Sequence, residues 1–184
     1  MITMTTYYTG KGDDGSTGTL GRCRINKDSR LANAVGDVDE LNSVIGVAIV
    51  NTADERIAGA LALVQDMLFT VGAELSASAS GNKPKSTIKR RDVAGLEGEI
   101  DELGSRLPEL KKFVLPGGSP SGAYLHLARS VARRAERSVI SLSKESKLNP
   151  YVQTYLNRLS SFLFVAALYA NKREGMEENH PTYL

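Results

Sequence analysis

"SRLANAVGDVDELNSVIGVAIVN", residues 29–51, carries apolar side chains at every third or fourth position. These positions are Leu31, Ala34, Val35, Val38, Leu41, Ile45 and Ala48. Such spacing places them on one face of an amphipathic α-helix. Ser29 comes just before the first of them and suits the N-cap position. The segment therefore predicts a long helix, from Ser29 to about Asn51, that is buried along one side.

The same periodicity recurs along most of the remaining chain. A second and a third helix are predicted at about 54–76 and 92–107. Two more begin at Ser119-Pro120 and Asn149-Pro150, where a capping residue is followed by proline at the first helical position. The last of these runs to about Asn171. Five amphipathic helices with almost no strand signal predict an all-α five-helix bundle with ferritin-like up-down packing.

The chain is expected to form a single domain, residues 1–184, in three parts. A glycine-rich arm, 1–28, precedes the bundle, 29–171, and a polar tail, 172–184, follows it. The stretch "SASASGNKPKST", 76–87, predicts a flexible surface loop, and "PELKKFVLPGGSP", 108–120, predicts a structured one. The tail is expected to be frayed.

Composition favours a soluble globular protein. The 184 residues are 41% hydrophobic and 24% charged, with a net charge of +2. So small a charge argues against nucleic acid as a partner, and any attraction for phosphate must be local. The lone Cys23 fits a reducing compartment, and no apolar run approaches the roughly 20 residues of a membrane helix. We expect a cytoplasmic protein with no membrane contact.

The segment "RSVARRAERSV", 129–139, concentrates arginine in three turns of the fourth helix. Arg129, Arg133, Glu136 and Arg137 fall within an arc of about 100°, and Arg134 flanks them. A solvated helix face is one interpretation. The use of arginine alone favours another, a site for phosphate or carboxylate, because guanidinium binds such groups in a bidentate manner. Glu136 is expected to orient Arg133.

The glycine-rich head, "YYTGKGDDGSTGTLGRCRINK", 7–27, formally contains G-x-G-x-x-G. No βαβ unit surrounds it, and Ser16 stands where a Walker A loop requires lysine, so neither nucleotide motif applies. Its glycines and its hydroxyl and ammonium groups could still form a nest for anions. A mobile arm is the alternative.

Other candidate side chains predict no chemistry. His126 shares the side of the fourth helix that carries the arginines, so it could border their site, but a surface position is expected. Two histidines without an E-x-x-H pairing predict no di-metal centre. The aromatic residues of the fifth helix are expected to serve packing alone; they are Tyr155, Phe162, Phe164 and Tyr169.

Five motifs in order resemble those of the PduO-type ATP:cob(I)alamin adenosyltransferases. They are "YTGKGDDG" (8–15), "GDVDELN" (36–42), "FVLPGGSP" (113–120), "RSVARRAER" (129–137) and "NPYVQTYLNRLS" (149–160). The resemblance spans Tyr8 to Asn171. It implies a homotrimer of five-helix bundles with sites between subunits. It also implies transfer of the 5′-deoxyadenosyl group of ATP to the cobalt of cob(I)alamin, with release of triphosphate. Mg²⁺ is an implied cofactor, and a flavin-dependent cobalamin reductase is an implied partner.

The resemblance also assigns residues. The nucleotide-binding set it implies is Thr9, Gly10, Lys11, Gly12, Thr17, Gly18, Lys27, Arg133, Arg134, Glu136, Arg137 and Asn157. Arg129 and Asp39 match a pair that spans the subunit boundary, and Phe113 matches an aromatic that covers the lower face of the corrin. The catalytic set is Arg129, Arg133, Glu136 and Phe113, and no residue is implied as a metal ligand. The head departs from the family at Gly10-Lys11, where many members have arginine or lysine followed by threonine.

Two other functions are compatible with the residues. A helical interaction module would use the arginine face to dock an acidic partner. A sensor would bind ATP and corrinoid without turnover.

Overall fold

The computed structural model describes residues 7–19, 23–78 and 83–183. Over these ranges the chain is a bundle of five helices: α1 (Arg30–Asn51), α2 (Glu55–Ser78), α3 (Arg90–Ser105), α4 (Pro120–Ser143) and α5 (Pro150–Arg173). The all-α prediction is confirmed. Of the predicted loop 76–87, the first three residues belong to α2, and residues 79–82 lie outside the described ranges.

Local capping chemistry sets three of the helix starts. The side chain of Ser29 accepts a hydrogen bond from Ala32 N at 3.2 Å, and that of Ser119 accepts one from Gly122 N at 3.1 Å. Asn149 caps α5 in the same way through Tyr151 N, at 3.1 Å. Each side chain satisfies a backbone donor that has no partner within its helix. These three predicted caps are confirmed.

The helices alternate in direction. Helix α1 packs against α2 and α4, and α5 packs against α4 and α3. The ion pair Arg30–Glu145, at 2.6 Å, joins the start of α1 to the residues just after α4, so these two helices are antiparallel. Arg158 of α5 donates to Glu97 of α3 at 2.7 Å, and further along both helices Arg106, just after α3, donates to the hydroxyl of Tyr169 at 3.5 Å. Helix α5 therefore runs parallel to α3. The predicted up-down packing follows.

The head contains a short hairpin that the sequence does not predict. Strands β1 (Ser16–Gly18) and β2 (Arg24–Asn26) pair antiparallel, with Thr17 opposite Ile25. The half-buried side chain of Ile25 packs against the bundle core, and Arg24 forms an ion pair with Asp14 at 3.1 Å. Because three-residue strands give too little alternation to detect, periodicity misses them.

The tail folds back over the α3–α4 loop, contrary to the expectation of a frayed end. Leu115 N donates to the carbonyl of Asn179 at 2.8 Å. The Nδ1 atom of His180 lies 2.8 Å from the carbonyl oxygen of Phe113. The tail therefore supports the loop that carries Phe113.

Helix α2 is the one helix in the described ranges that is long and apolar enough to cross a membrane, judged by length and composition. The sequence analysis expects no such segment. One side of α2 packs into the bundle core through Ile57, Leu61, Val64, Leu68, Val71 and Leu75. Leu63 and Phe69 lie on other sides and are 68% and 72% exposed. These two side chains have no apolar cover within the described chain.

Candidate active site

A cavity of about 730 Å³ lies between α4, α5 and the α3–α4 loop. It contains three of the predicted catalytic residues, Phe113, Arg129 and Arg133. The remaining lining residues are Leu110, Lys111, Lys112, Val114, Ser160, Ser161, Phe164 and Val165. Phe113 is 75% exposed and is therefore available to a ligand. The cavity combines cations with an unoccupied aromatic face.

Asn171, near the end of α5, fixes the loop that presents Phe113. Its fully buried side chain accepts hydrogen bonds from the backbone N and the Oγ of Ser119, at 3.0 and 3.1 Å. Its Nδ2 donates to the carbonyl of Gly117 at 3.1 Å. Gly118 has φ of +96°, and a Cβ on Gly122 would collide with Asn171. The glycines of "FVLPGGSPSG" therefore give the asparagine room and the loop its turn.

Sequence reasoning does not identify Asn171 as a functional residue. The available signal is an asparagine at the end of an apolar helix face, four residues after the buried Ala167. A buried amide requires hydrogen-bond partners. The glycine-rich loop before α4 could have been predicted to supply these hydrogen-bond partners, because its glycines allow close approach to a helix.

Arg129 rests on an aromatic ring. Its guanidinium carbon is 5.7 Å from the centroid of the Phe164 ring, within the range of a cation–π contact. Its Nε atom is buried and has no hydrogen-bond partner in the part of the chain that the structure describes. Within that part, Arg129 forms no ion pair with Asp39. Its other guanidinium nitrogens form no hydrogen bond or ion pair in the described ranges, and Arg129 lines the cavity, so these donors, rather than the buried Nε, are available to a group from outside the chain.

Glu136 and Asn157 form a pair across α4 and α5. Asn157 donates to Glu136 Oε1 at 2.9 Å and accepts from Arg158 at 3.1 Å. The expectation that Glu136 orients Arg133 is wrong here, because α4 turns the carboxylate towards α5. The side chain of Arg137 donates a hydrogen bond to the backbone carbonyl of Arg133 at 3.1 Å.

Arg134 faces the other neighbour of α4. It forms ion pairs with Asp37, at 3.5 Å, and with Glu40, both on α1. The hydrogen bond that Arg134 donates to Glu40 raises the pKa of Arg134, as does the charge of both carboxylates. Its flanking position on the helix, as predicted, places it outside the cavity that holds Arg129 and Arg133.

The head residues lie on the α1–α2 side of the bundle. Thr17 and Gly18 line a second cavity of about 470 Å³ together with Asp39. A Cβ on Gly12 would be 3.3 Å from the ammonium of Lys27, so these two residues adjoin. Gly10 has φ of +66° and accepts from the backbone of Asp13 at 3.2 Å, closing a tight turn. Thr9 and Lys11 lie at the exposed edge of this turn, where Lys11 N donates to the Thr9 hydroxyl at 3.4 Å.

The two groups of candidate residues are separate within one chain. The α4–α5 cavity has no lining residue from the described part of the head. The head cavity likewise has none from α4. A ligand held by both groups would therefore have to contact two separate cavities.

His126 is buried, not at the surface as expected. Only 2% of it is exposed, and its ring centroid is 6.0 Å from that of Phe164. Burial is the main cause that lowers the pKa of the imidazole, and the nearby Arg129 lowers it further. Phe164 lines the cavity as well as packing against His126. Tyr155, Phe162 and Tyr169 are buried as expected.

Arginine donors, an exposed phenylalanine and a glycine-rich hairpin define the class of protein. It is a helical bundle whose arginine side chains can bind an anionic group beside an exposed aromatic ring. No group of three or more His, Cys, Asp or Glu side chains in the described ranges could hold a metal ion. The sheet found in the described part of the chain is a two-stranded antiparallel pair, unlike the parallel sheet of a dinucleotide-binding domain.

Comparison with known proteins defines the family. The family model "Cobalamin adenosyltransferase" matches residues 7–170. A corrinoid adenosyltransferase of Bacillus subtilis is 41% identical over 173 residues, which cover 92% of this chain and 88% of the relative. One of Citrobacter freundii is 39% identical over 165 residues, covering 89% and 94%. The chain belongs to the cobalamin adenosyltransferase family.

A solved structure agrees over nearly the whole chain. It is a variant PduO-type ATP:corrinoid adenosyltransferase from Lactobacillus reuteri, complexed with cobalamin and ATP. The TM-score is 0.90 at 33% identity, over 96% of this chain and 97% of that one. The protein is accordingly an enzyme that adenosylates a corrinoid at the expense of ATP, and the interaction module is set aside.

Proposed function

We propose that this chain divides adenosyl transfer between its two groups of residues. The α4–α5 cavity receives the corrinoid and the side of the nucleotide that faces α4, and the head of a neighbouring subunit contacts the triphosphate from the other side. The observation that carries the proposal is the meeting of Phe113, Arg129 and Arg133 in one cavity. No residue of the described head of the same chain lines this cavity.

The reaction requires charge stabilisation rather than a protein base. Co(I) attacks C5′ of the ribose, a Co–C bond forms, and the C5′–O bond breaks with its electron pair leaving on triphosphate. Arg133 and Arg137 on one side, with Lys11 and Lys27 on the other, would stabilise the growing negative charge. A single well-placed donor of this kind can contribute about 3–4 kcal/mol. The Glu136–Asn157 pair would orient the nucleoside through its remaining polar atoms.

Mg²⁺ would enter as part of the substrate. The described residues offer no cluster of ligands for a metal ion. Mg²⁺ commonly binds to nucleotide phosphates through few or no protein carboxylates and keeps several waters. Magnesium carried by the triphosphate fits these residues, and its charge would assist the leaving group.

Phe113 would act on the corrinoid by contact and exclusion. An exposed phenylalanine on a loop anchored by Asn171 offers a flat apolar face at a fixed place. Packed against the lower face of the corrin, it would keep water and other axial ligands from cobalt. Loss of the axial ligand makes Co(II) easier to reduce, which supplies the nucleophile. A flavin-dependent reductase is the proposed source of the electron.

The assembly we propose is a homotrimer with sites between subunits. Asp39 is exposed on α1, in line with Ser43, Val47 and Val50 at helical spacing. Val50 is 80% exposed, and Leu63 and Phe69 on α2 are also uncovered. Exposed apolar side chains of this kind mark an interface. Arg129, whose Nε is unpartnered, would then pair with Asp39 of the adjacent subunit.

We further propose a cytoplasmic location. Cys23 is a free cysteine and half-buried, as a reducing compartment permits. The exposed apolar side chains of α2 are assigned to the subunit interface rather than to a membrane.

A direct assay tests the reaction. The protein is mixed with ATP, Mg²⁺ and chemically reduced cobalamin, and the absorbance of the cobalt–carbon product is followed. We expect adenosylcobalamin and inorganic triphosphate in equal amounts. Binding of both substrates without product would instead support the sensor alternative.

A further inference from the structure

Three side chains lie together at the wall of the α4–α5 cavity. The Phe164 ring, on α5, contributes to the cavity lining. Arg129 lies 5.7 Å from its centroid. The ring of His126 lies 6.0 Å from the same centroid, tilted by 58°. His126 itself does not line the cavity.

The burial of His126 at this position lowers the stability of the fold. Its two ring nitrogens are both buried, and neither has a hydrogen-bond partner within the described ranges. A buried polar group without a partner lowers stability, whereas an apolar side chain of similar size would not. Local costs of this kind are characteristic of positions that serve function rather than folding.

The geometry shows what the imidazole contacts. A tilted arrangement of two rings at this distance is a favourable aromatic contact and restricts both rings. Phe164 in turn supports a guanidinium whose Nε has no partner. An arginine on a fixed ring loses less freedom when it engages a ligand than one that moves freely.

We propose that His126 is a positioning residue: its ring fixes Phe164, and Phe164 fixes Arg129 in the corrinoid-facing wall of the cavity. The inference rests on the function proposed above and adds a residue to it. His126 acts through its ring, and its nitrogens are not required for the reaction.

Two substitutions separate the ring from its nitrogens. His126→Ala removes the contact with Phe164, and His126→Phe keeps an aromatic ring without nitrogens. For His126→Ala we expect about a tenfold or larger loss in kcat/KM for cob(I)alamin, with the KM for ATP unchanged. For His126→Phe we expect kcat/KM within about threefold of wild type. Thermal unfolding of each variant establishes that it is folded.

A double-mutant cycle tests the route through Phe164. If both residues act through the same ring, the losses in His126→Ala and Phe164→Leu will not add in the double variant. Leu142→Ala is the matched control, since Leu142 is a buried residue of α4 that lines neither the α4–α5 cavity nor the head cavity. It should lower stability and leave the KM for cob(I)alamin unchanged.

The inference and the proposed function fail in different ways. An inactive wild-type enzyme would refute the proposed function. The inference could then still be tested by measuring the affinity of each variant for cob(II)alamin and for ATP. For His126→Ala we expect weaker binding of the corrinoid and unchanged binding of ATP. Equal losses in His126→Phe and His126→Ala would overturn the inference. Additive effects in the cycle, or equal effects on both substrates, would overturn it as well.

Discussion

Arg133 is an exposed arginine whose neighbours define its role. It lies in the cavity with Phe113 and Arg129 and forms no ion pair within the described chain. A cation without an internal partner is available to an external anion, which we propose is the triphosphate of ATP. The same exposure means that its removal leaves the packing of the bundle intact.

We predict that Arg133→Ala lowers kcat for adenosylation by about 10²–10³ because a charge-stabilising donor is lost. The initial rate of cobalt–carbon bond formation measures the effect. Arg133→Lys keeps the charge without the bidentate geometry, so its kcat should lie between those of wild type and Arg133→Ala. Size-exclusion chromatography should show an unchanged assembly. Turnover of Arg133→Ala at the wild-type rate would exclude the assigned role.

His126 makes stability depend on pH. Burial lowers the pKa of the imidazole in the folded protein, so the unfolded chain binds the proton more readily. The free energy of unfolding should therefore fall as the pH drops below about 6.5, the ordinary value for histidine. Urea titrations at pH 7.5 and 5.5 measure it. In His126→Phe this loss should be smaller than in wild type; an equal loss would show that other groups cause it.

Residue-scale prediction from sequence succeeds where the signal is local. Helical spacing brings Arg129 and Arg133 to one side and sets Arg134 apart, as the structure shows. The side of the helix does not reveal what packs there, so His126 was expected at the surface. Its neighbour Phe164 is 38 positions away along the chain, and such a contact leaves no periodic trace.

At the scale of elements, α5 and its following tail control the loop that carries Phe113. Asn171 holds Ser119 and Gly117, and the tail adds a backbone hydrogen bond at Leu115. The loop is therefore ordered by groups that are more than fifty residues away in sequence.

We predict that Asn171→Ala lowers the free energy of unfolding by about 1–3 kcal/mol because buried partners lose their hydrogen bonds. The KM for corrinoid should rise with it, since the loop of Phe113 loosens. Asn149→Ala is the control, because Asn149 also loses hydrogen bonds, to Glu74 and Ile88, yet lies at the opposite end of α5. A rise in KM of equal size in both variants would contradict the loop-anchoring role.

Element-scale prediction depends on the strength of the local code. Serine or asparagine before proline fixed the starts of α4 and α5 because capping is a property of adjacent residues. Helix α3 begins at Arg90, slightly earlier than predicted, where Lys89 N donates to Asp92 at 2.8 Å. The hairpin of the head was missed because its three-residue strands show too little alternation, and the folded-back tail was missed because its contacts lie in the α3–α4 loop.

For the whole molecule, the uncovered apolar side chains of α1 and α2 indicate assembly. We predict that Val47→Glu dissociates the trimer, because a charge would be buried at the interface without a partner. The single chain should remain folded, since Val47 is exposed there. Light scattering measures the mass, and Val47→Ala is the neutral control. A trimeric mass for Val47→Glu would place the interface elsewhere.

The central claim is that each site combines the head of one subunit with α4 of the next, and mixed trimers test it most directly. Arg133→Ala and Lys27→Ala chains, each inactive alone, are unfolded together in equal amounts and refolded. In a closed three-fold assembly, random mixing gives about a quarter of the sites both intact halves, so about a quarter of wild-type adenosylation should return. Mixed trimers as inactive as either parent would contradict the account.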